Sequence, residues 1–187
     1  MDNGASSYLR FLNGDNDRFV DIVREYNDGL ILFLNSIIKD IQIAEEAADD
    51  TLLKLYVKKP LYKSEYSFKT WLYVIGRNTA LNYLKKIKRQ NYSHLEDFSY
   101  FSDSIDLESE YIRGERNVLI HQCIKALKDD YAQVLFLVYF EDFSNTEAAK
   151  VMSKSQRQIT QLLYRAKNAL KDEMERREKD GQIRKTC

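Results

Sequence analysis

Apolar residues recur at helical spacing over most of the chain. In "DRFVDIVREYNDGLILFLNSIIKD" the positions Phe19, Ile22, Val23, Tyr26, Leu30, Phe33, Leu34, Ile37 and Ile38 fall on one helical face. Asn27-Asp28-Gly29 interrupts that run with turn-forming residues and predicts a break there. "AEEAADDTLLKLYVKK" predicts a second helix, ended by Pro60 and followed by the loop "LYKSEYS". Ser67 is placed to cap a third helix, "FKTWLYVIGRNTALNYLKKIKR". The period then lapses over residues 92–112, which are rich in Ser, Asp, Glu, Tyr and Phe, and returns from Arg113. "NVLIHQCIKAL", "DDYAQVLFLVYFEDF", "SNTEAAKVM" and "KSQRQITQLLYRAKNALKDEMERRE" predict four more helices, the last two separated by a short turn at 153–155. With one proline and six glycines, turn residues are too scarce for a sheet protein. The expectation is an all-α chain of two small helical domains, 1–91 and 113–178, joined by an acidic linker at 92–112 and ending in a charged tail at 179–187.

The 29 basic and 29 acidic residues cancel, which by itself argues against nucleic acid as a partner. Their distribution reverses that inference, because screening confines each field to ~10 Å. "DIQIAEEAADD" and "HLEDFSYFSDSIDLESE" are acidic, whereas "KKIKR" and "RQITQLLYRAKNALK" are basic. The longest apolar runs, "LILFL" and "VLFLVYF", fall far short of the ~20 residues needed to span a bilayer, and the first residues carry no signal-peptide pattern. Two cysteines make no disulfide framework. His121 and Cys123 stand two apart on a helix and diverge, so no metal site is expected. No nucleophile-base pattern, paired carboxylate or phosphate-binding glycine loop stands out, so no cofactor and no enzyme activity are expected.

Two helices carry residues suited to nucleic acid. In the third, Phe68, Leu72, Ile75, Gly76, Thr79, Tyr83 and Ile87 form a core face. Asn78, Asn82, Lys85 and Arg89 make a polar stripe along its edge, with Trp71 at the upper end. Asparagines offer donor and acceptor to base edges, cations neutralise phosphates, and an aromatic ring stacks on an unpaired base. A core tryptophan and a dipole-matched basic end explain the same residues without any ligand.

The last two helices have the layout of a helix-turn-helix. Ile159, Leu162, Leu163, Ala166, Ala169 and Leu170 supply the apolar face. Arg157, Thr160, Gln161, Tyr164 and Asn168 lie opposite, flanked by Arg165 and Lys167, with no acid between Arg157 and Leu170. A merely solvated face usually mixes Glu with Lys.

In this order and spacing the chain resembles the extracytoplasmic-function group of bacterial RNA polymerase sigma factors. "AEEAADDTLLKLY" resembles the segment that binds core polymerase, "SFKTWLYVIGRNTALNYLKKIKR" the segment that opens and reads the −10 element, and "SNTEAAKVMSKSQRQITQLLYRAKNALK" the −35-reading helix-turn-helix. The resemblance implies −10 contacts through Asn78 and Asn82, with Trp71, Lys85 and Arg89 beside them, and a pocket for an extruded base near residues 61–67. It implies −35 contacts through Thr160, Gln161, Tyr164 and Arg165, joined by Arg157 and Lys167. It implies partners: core RNA polymerase, held by the clamp of its largest subunit and by its flap; promoter DNA; and an anti-sigma factor. Its place would be the cytoplasm, at the nucleoid when bound to polymerase. Glu45, Glu46, Asp49 and Asp50 would face the clamp. Their like-charge i, i+4 pairs each cost an isolated helix ~0.2–0.5 kcal/mol, which a basic partner offsets. The chain departs from the family pattern at Ser153, where a glycine is usual, at Thr160 and Leu162, where basic residues are usual, and at Asp49, where a glutamine is common. A stand-alone helix-turn-helix regulator and a sigma-like decoy that binds polymerase alone remain the alternatives.

Overall fold

A computed structural model describes residues 3–63, 65–93 and 115–184, and side chains within 3–63, 65–89 and 120–179. These residues form helices α1 (Asn3–Leu12), α2 (Asp17–Ile38), α3 (Ile41–Lys58), α4 (Phe68–Ser93), α5 (Glu115–Lys125), α6 (Asp129–Tyr139), α7 (Asn145–Met152) and α8 (Gln156–Arg184), with no strand among them. The expected acidic linker lies outside the described residues except for Tyr92 and Ser93, which complete α4. At the other end α8 continues through position 178 to Arg184.

The helix α2 is the hub, packing on α1, α3, α4 and α6. It buries Phe19, Ile22, Tyr26, Leu30, Ile31, Phe33, Leu34, Ile37 and Ile38. The expected break at residues 27–29 is absent, and α2 runs straight through. A mid-helix glycine costs only ~1 kcal/mol, which the apolar contacts on either side outweigh. Gly29 serves packing: a Cβ there would come 2.5 Å from the Glu141 carboxylate and 2.8 Å from the Tyr73 hydroxyl.

The helix α1, not anticipated from sequence, buries Tyr8 and Phe11 fully against the rest. Asp40 caps α3 through hydrogen bonds from the N–H groups of Gln42 and Ile43. Lys59 ends α3 in the left-handed region (φ 43°), and Pro60 follows, as expected. Ser67 caps α4 by accepting from the Thr70 N–H. The core face of α4 is rotated slightly from expectation: Phe68, Leu72, Tyr73, Gly76 and Ala80 are buried, whereas Thr79, Tyr83 and Ile87 are half-exposed.

Candidate nucleic-acid interface

The loop before α4 is held from three sides. The Tyr8 hydroxyl donates to the Pro60 carbonyl (2.8 Å), and the Tyr62 hydroxyl to the Tyr66 carbonyl. Burial pushes the Tyr8 phenol up to about 12, so it stays a donor at any ordinary pH. The Trp71 ring lies 5.3 Å from Tyr62, 5.4 Å from Tyr8 and 5.6 Å from Phe68. Trp71 is therefore part of an aromatic cage rather than the end of an open stripe. Its free edge joins Leu61, Lys63, Glu65, Tyr66, Thr70 and Val74 around a hollow of about 210 Å³. Asn78, Asn82, Lys85 and Arg89 are all exposed along α4, so the stripe faces solvent.

On α3, Glu46, Asp49 and Asp50 are exposed and Glu45 is half-buried. The sequence reading missed that Leu53 (58 % exposed) and Val57 (66 %) continue this face. Their i, i+4 spacing was the available signal. The Tyr83 hydroxyl donates to Asp50 (2.6 Å), and that hydrogen bond pushes the phenol up to about 12. Asp50, Leu53, Val57 and Asn82 line one shallow hollow, so the acidic face and the asparagine stripe adjoin.

The helix-turn-helix is defined by its caps. Ser144 and Glu147 form a reciprocal capping box on α7, and Ser155 and Gln158 bond reciprocally at the start of α8. Between them Ser153 is left-handed (φ 53°) at the position where the family favours glycine. Ile159 and Ala166 anchor α8 in the core, with Leu162, Leu163, Ala169 and Leu170 half-buried. Arg157, Thr160, Gln161, Tyr164, Arg165, Lys167 and Asn168 are exposed, Tyr164 by 70 %. Lys167 leans toward the flank, its Nζ 5.2 Å from the Tyr139 ring centre. Behind the reading face an apolar groove of about 540 Å³ is lined by Ile120, Ile124, Leu135, Phe140, Leu170 and Met174. His121 packs against Phe136 and Phe140, and Cys123 is buried in the same group of helices.

Sequence gave no sign that the two groups of helices meet, yet α4 packs on α7 and α2 on α6. Glu141 accepts from Lys69 (2.9 Å) and Tyr73 (2.6 Å). Glu147 accepts from Ser67 (3.0 Å) and Thr70 (3.2 Å). Burial opposes the Glu147 charge, but its hydrogen bonds from Ser144, Ser67 and Thr70 outweigh that cost and hold the carboxyl below its ordinary range. Lys150 lies 4.4 Å above the Tyr66 ring and forms one wall of the Trp71 hollow. Lys39 reaches the Lys125 carbonyl (3.3 Å) and Asp129 (3.8 Å), and Arg77 reaches Gln133 (3.4 Å).

Comparison with known proteins matches residues 22–90 to Sigma-70 region 2 and residues 117–170 to Sigma-70, region 4. The chain is 24 % identical to the RNA polymerase sigma factor YlaC of Bacillus subtilis, covering 89 % of this chain and 98 % of that one. It is 25 % identical to the ECF RNA polymerase sigma factor SigW of the same organism (86 % and 91 % covered), and 29 % identical to the RNA polymerase sigma-H factor of Pseudomonas aeruginosa (86 % and 88 %). Its fold is similar to that of the sigma factor RpoE of Bartonella quintana, solved with the anti-sigma factor NepR: TM-score 0.64, 21 % identity, 84 % of this chain and 96 % of that one. CnrH, solved with the cytosolic domain of CnrY, gives 0.63 at 17 % identity, covering 92 % and 95 %.

Proposed function

Because the chain belongs to the sigma-70 family of RNA polymerase sigma factors, in its extracytoplasmic-function group, and acts as an alternative sigma factor in promoter-specific initiation, we propose how its surfaces divide that work. The acidic face of α3, with Glu45, Glu46, Asp49 and Asp50, meets a basic surface of the polymerase clamp, and Leu53 and Val57 add apolar area to the contact. The groove behind α8 receives the flap. The hollow beside Trp71 holds one extruded base of the −10 element, while Asn78 and Asn82 read neighbouring bases and Lys85 and Arg89 follow the phosphates. Extrusion costs a few kcal/mol, which stacking and hydrogen bonding in the hollow must return. The helix α8 enters the −35 major groove with Thr160, Gln161, Tyr164 and Arg165 toward the bases, and Arg157 and Lys167 toward phosphates.

One observation carries this reading: the Trp71 hollow opens at the head of an exposed asparagine stripe, whose far side touches the acidic face. The division corresponds to domains at 1–91 and 113–178. No catalytic role falls to the chain itself; polymerase does the chemistry. We place the protein in the cytoplasm, at the nucleoid when in holoenzyme, and expect an anti-sigma partner.

The test adds the protein to sigma-free bacterial core polymerase and sequences transcript starts from genomic DNA. Shared −35 and −10 elements upstream of the starts are expected. On those promoters Asn78→Ala should lower strand opening while core affinity is unchanged. Core binding without specific starts would make the chain a decoy, and duplex binding without core binding would make it a stand-alone regulator.

A further inference from the structure

Resting on the base-pocket reading above, we propose that α1 braces the −10 pocket from outside and that Tyr8 is a positioning residue for base selection: holding Trp71 with its ring and Pro60 with its hydroxyl, it sets the width of the hollow that takes the extruded base.

The match to Sigma-70 region 2 begins at residue 22, so α1 at Asn3–Leu12 lies ahead of it. Yet the buried face of α1, with Gly4, Ala5, Tyr8 and Phe11, rests on the supports of the pocket. Gly4 lets α1 approach α4 closely, since a Cβ there would come 2.6 Å from the Phe68 ring. One turn on, the Tyr8 ring is fully buried and lies 5.3 Å from Phe68 and 5.4 Å from Trp71. Three residues further, Phe11 stacks on Tyr56 (5.4 Å) beneath the Lys59 ammonium (4.6 Å). Lys59 is the left-handed end of α3. The helix α1 therefore grips the chain where it leaves α3 and again where it enters α4.

The Tyr8 hydroxyl separates this role from plain packing. A phenylalanine would fill nearly the same space, and burying a hydroxyl is costly unless it is bonded. Its partner here is the Pro60 carbonyl, 52 positions away, at 2.8 Å. Proline fixes its own φ at about −65°, so a tether on its carbonyl orients the peptide that leads to Leu61. Leu61, 74 % exposed, and Trp71 both line the hollow. One side chain outside the hollow thus fixes two of its walls. The rest of the loop is held by other means, the Tyr62 hydroxyl on the Tyr66 carbonyl and the Ser67 hydroxyl accepting from the Thr70 N–H. Asn78 and Asn82 stand about two and three turns beyond Trp71 on α4, away from this tether. Loss of the hydroxyl should therefore alter the choice of base at the extruded position and spare the positions that the asparagines read.

The test uses holoenzyme reconstituted from the full chain and core polymerase. Its probe is a promoter identified by the transcript-start sequencing above, with each base of the −10 element replaced in turn by the other three. The rate of open-complex formation gives the base preference at every position. Tyr8→Phe should lower the preference at one position about fivefold, the factor that one neutral hydrogen bond commonly supplies, and leave the others unchanged. Leu61→Ala, which cuts back an exposed wall of the hollow, should relax that same position, and Asn78→Ala a different one. Core affinity should hold in all three. Phe19→Leu, at a ring that packs on Phe11 and Tyr56, should lower stability while every preference holds, which tells positioning from general loosening. Unchanged preference in Tyr8→Phe, an equal loss at every position, or the same loss in Phe19→Leu would each overturn the proposal. Leu61→Ala then separates the two readings. Relaxation at one position in that variant leaves the pocket reading standing and removes Tyr8 alone; no change at any position removes both.

Discussion

The two helices proposed to read DNA, α4 and α8, meet that task in opposite settings. In α4 one end is embedded: Phe68, Leu72 and Tyr73 are fully buried, Trp71 is caged, and α7 lies across the neighbouring hollow. Only from Asn78 onward does its polar edge stand clear. In α8 the whole face from Arg157 to Asn168 is exposed, over a core contact that rests on Ile159 and Ala166. A face that reads intact duplex needs only to be presented. A pocket that takes an extruded base needs walls, and walls have to be held by packing.

The largest effect should separate walls from surface. Phe68→Ala removes a fully buried ring that touches Tyr8, Tyr26, Tyr62 and Trp71, and should cost about 3–5 kcal/mol in urea unfolding. Tyr164→Ala, 70 % exposed, should stay within about 0.5 kcal/mol while weakening −35 duplex binding. If both cost the same, the contrast between an embedded and a presented helix is wrong. Arg165→Ala should next lower the salt slope of −35 duplex binding by ~0.9, the share of one neutralised phosphate, with no change in single-stranded binding. An identical slope would remove Arg165 from the phosphate contacts.

The pH dependence of closure, the packing of α7 on α4, sharpens the same contrast. Glu147 has its folded-state value depressed, partly by Ser67 and Thr70 across the interface. Such a group stabilises the closed form fully above its ordinary value of ~4.3 and loses that contribution as pH falls through the lower folded value. Energy transfer between labels on the two halves should be flat through neutral pH and fall only once the pH is below the ordinary carboxylate range. The Ser144 bonds lie within α7 and persist on opening, so only part of the depression acts on closure. Glu147→Gln keeps the capping box through its oxygen and should flatten the acid response.

Helical period made most of this fold legible. The α2, α3 and α8 faces, the Ser67 cap, the Pro60 stop and the turn at 153–155 all follow from local residue chemistry. Gly29 misled because a glycine beside Asn and Asp has the same local signature whether it turns the chain or admits a distant side chain. Tyr8 and Phe11 of α1 sit three apart, but so short a repeat does not identify a helix until its partners are known. The stripe residues were visible as types, yet the choice between a core and a ligand-facing Trp71 stayed open because its cage draws on Tyr8 and Tyr62, outside its own helix. Lys69 and Glu141 are 72 positions apart and leave no local pattern at all.

The smallest effect tests the joint that aims α8. Ser153 takes φ 53°, ψ 44° at the end of α7, and its N–H bonds back to the Ala149 and Lys150 carbonyls. For a residue with a Cβ that conformation costs roughly 1–2 kcal/mol, and glycine is spared it. Glycine also loses about 0.4–1 kcal/mol more chain entropy on folding. Ser153→Gly should therefore raise stability by about 0.5 kcal/mol, a small upward shift of the urea midpoint with an unchanged slope. Because the left-handed turn is already formed, α8 keeps its direction and −35 binding should not change. A gain in stability with altered −35 affinity would mean that the serine hydroxyl, rather than the backbone alone, sets the angle at which the presented helix meets DNA.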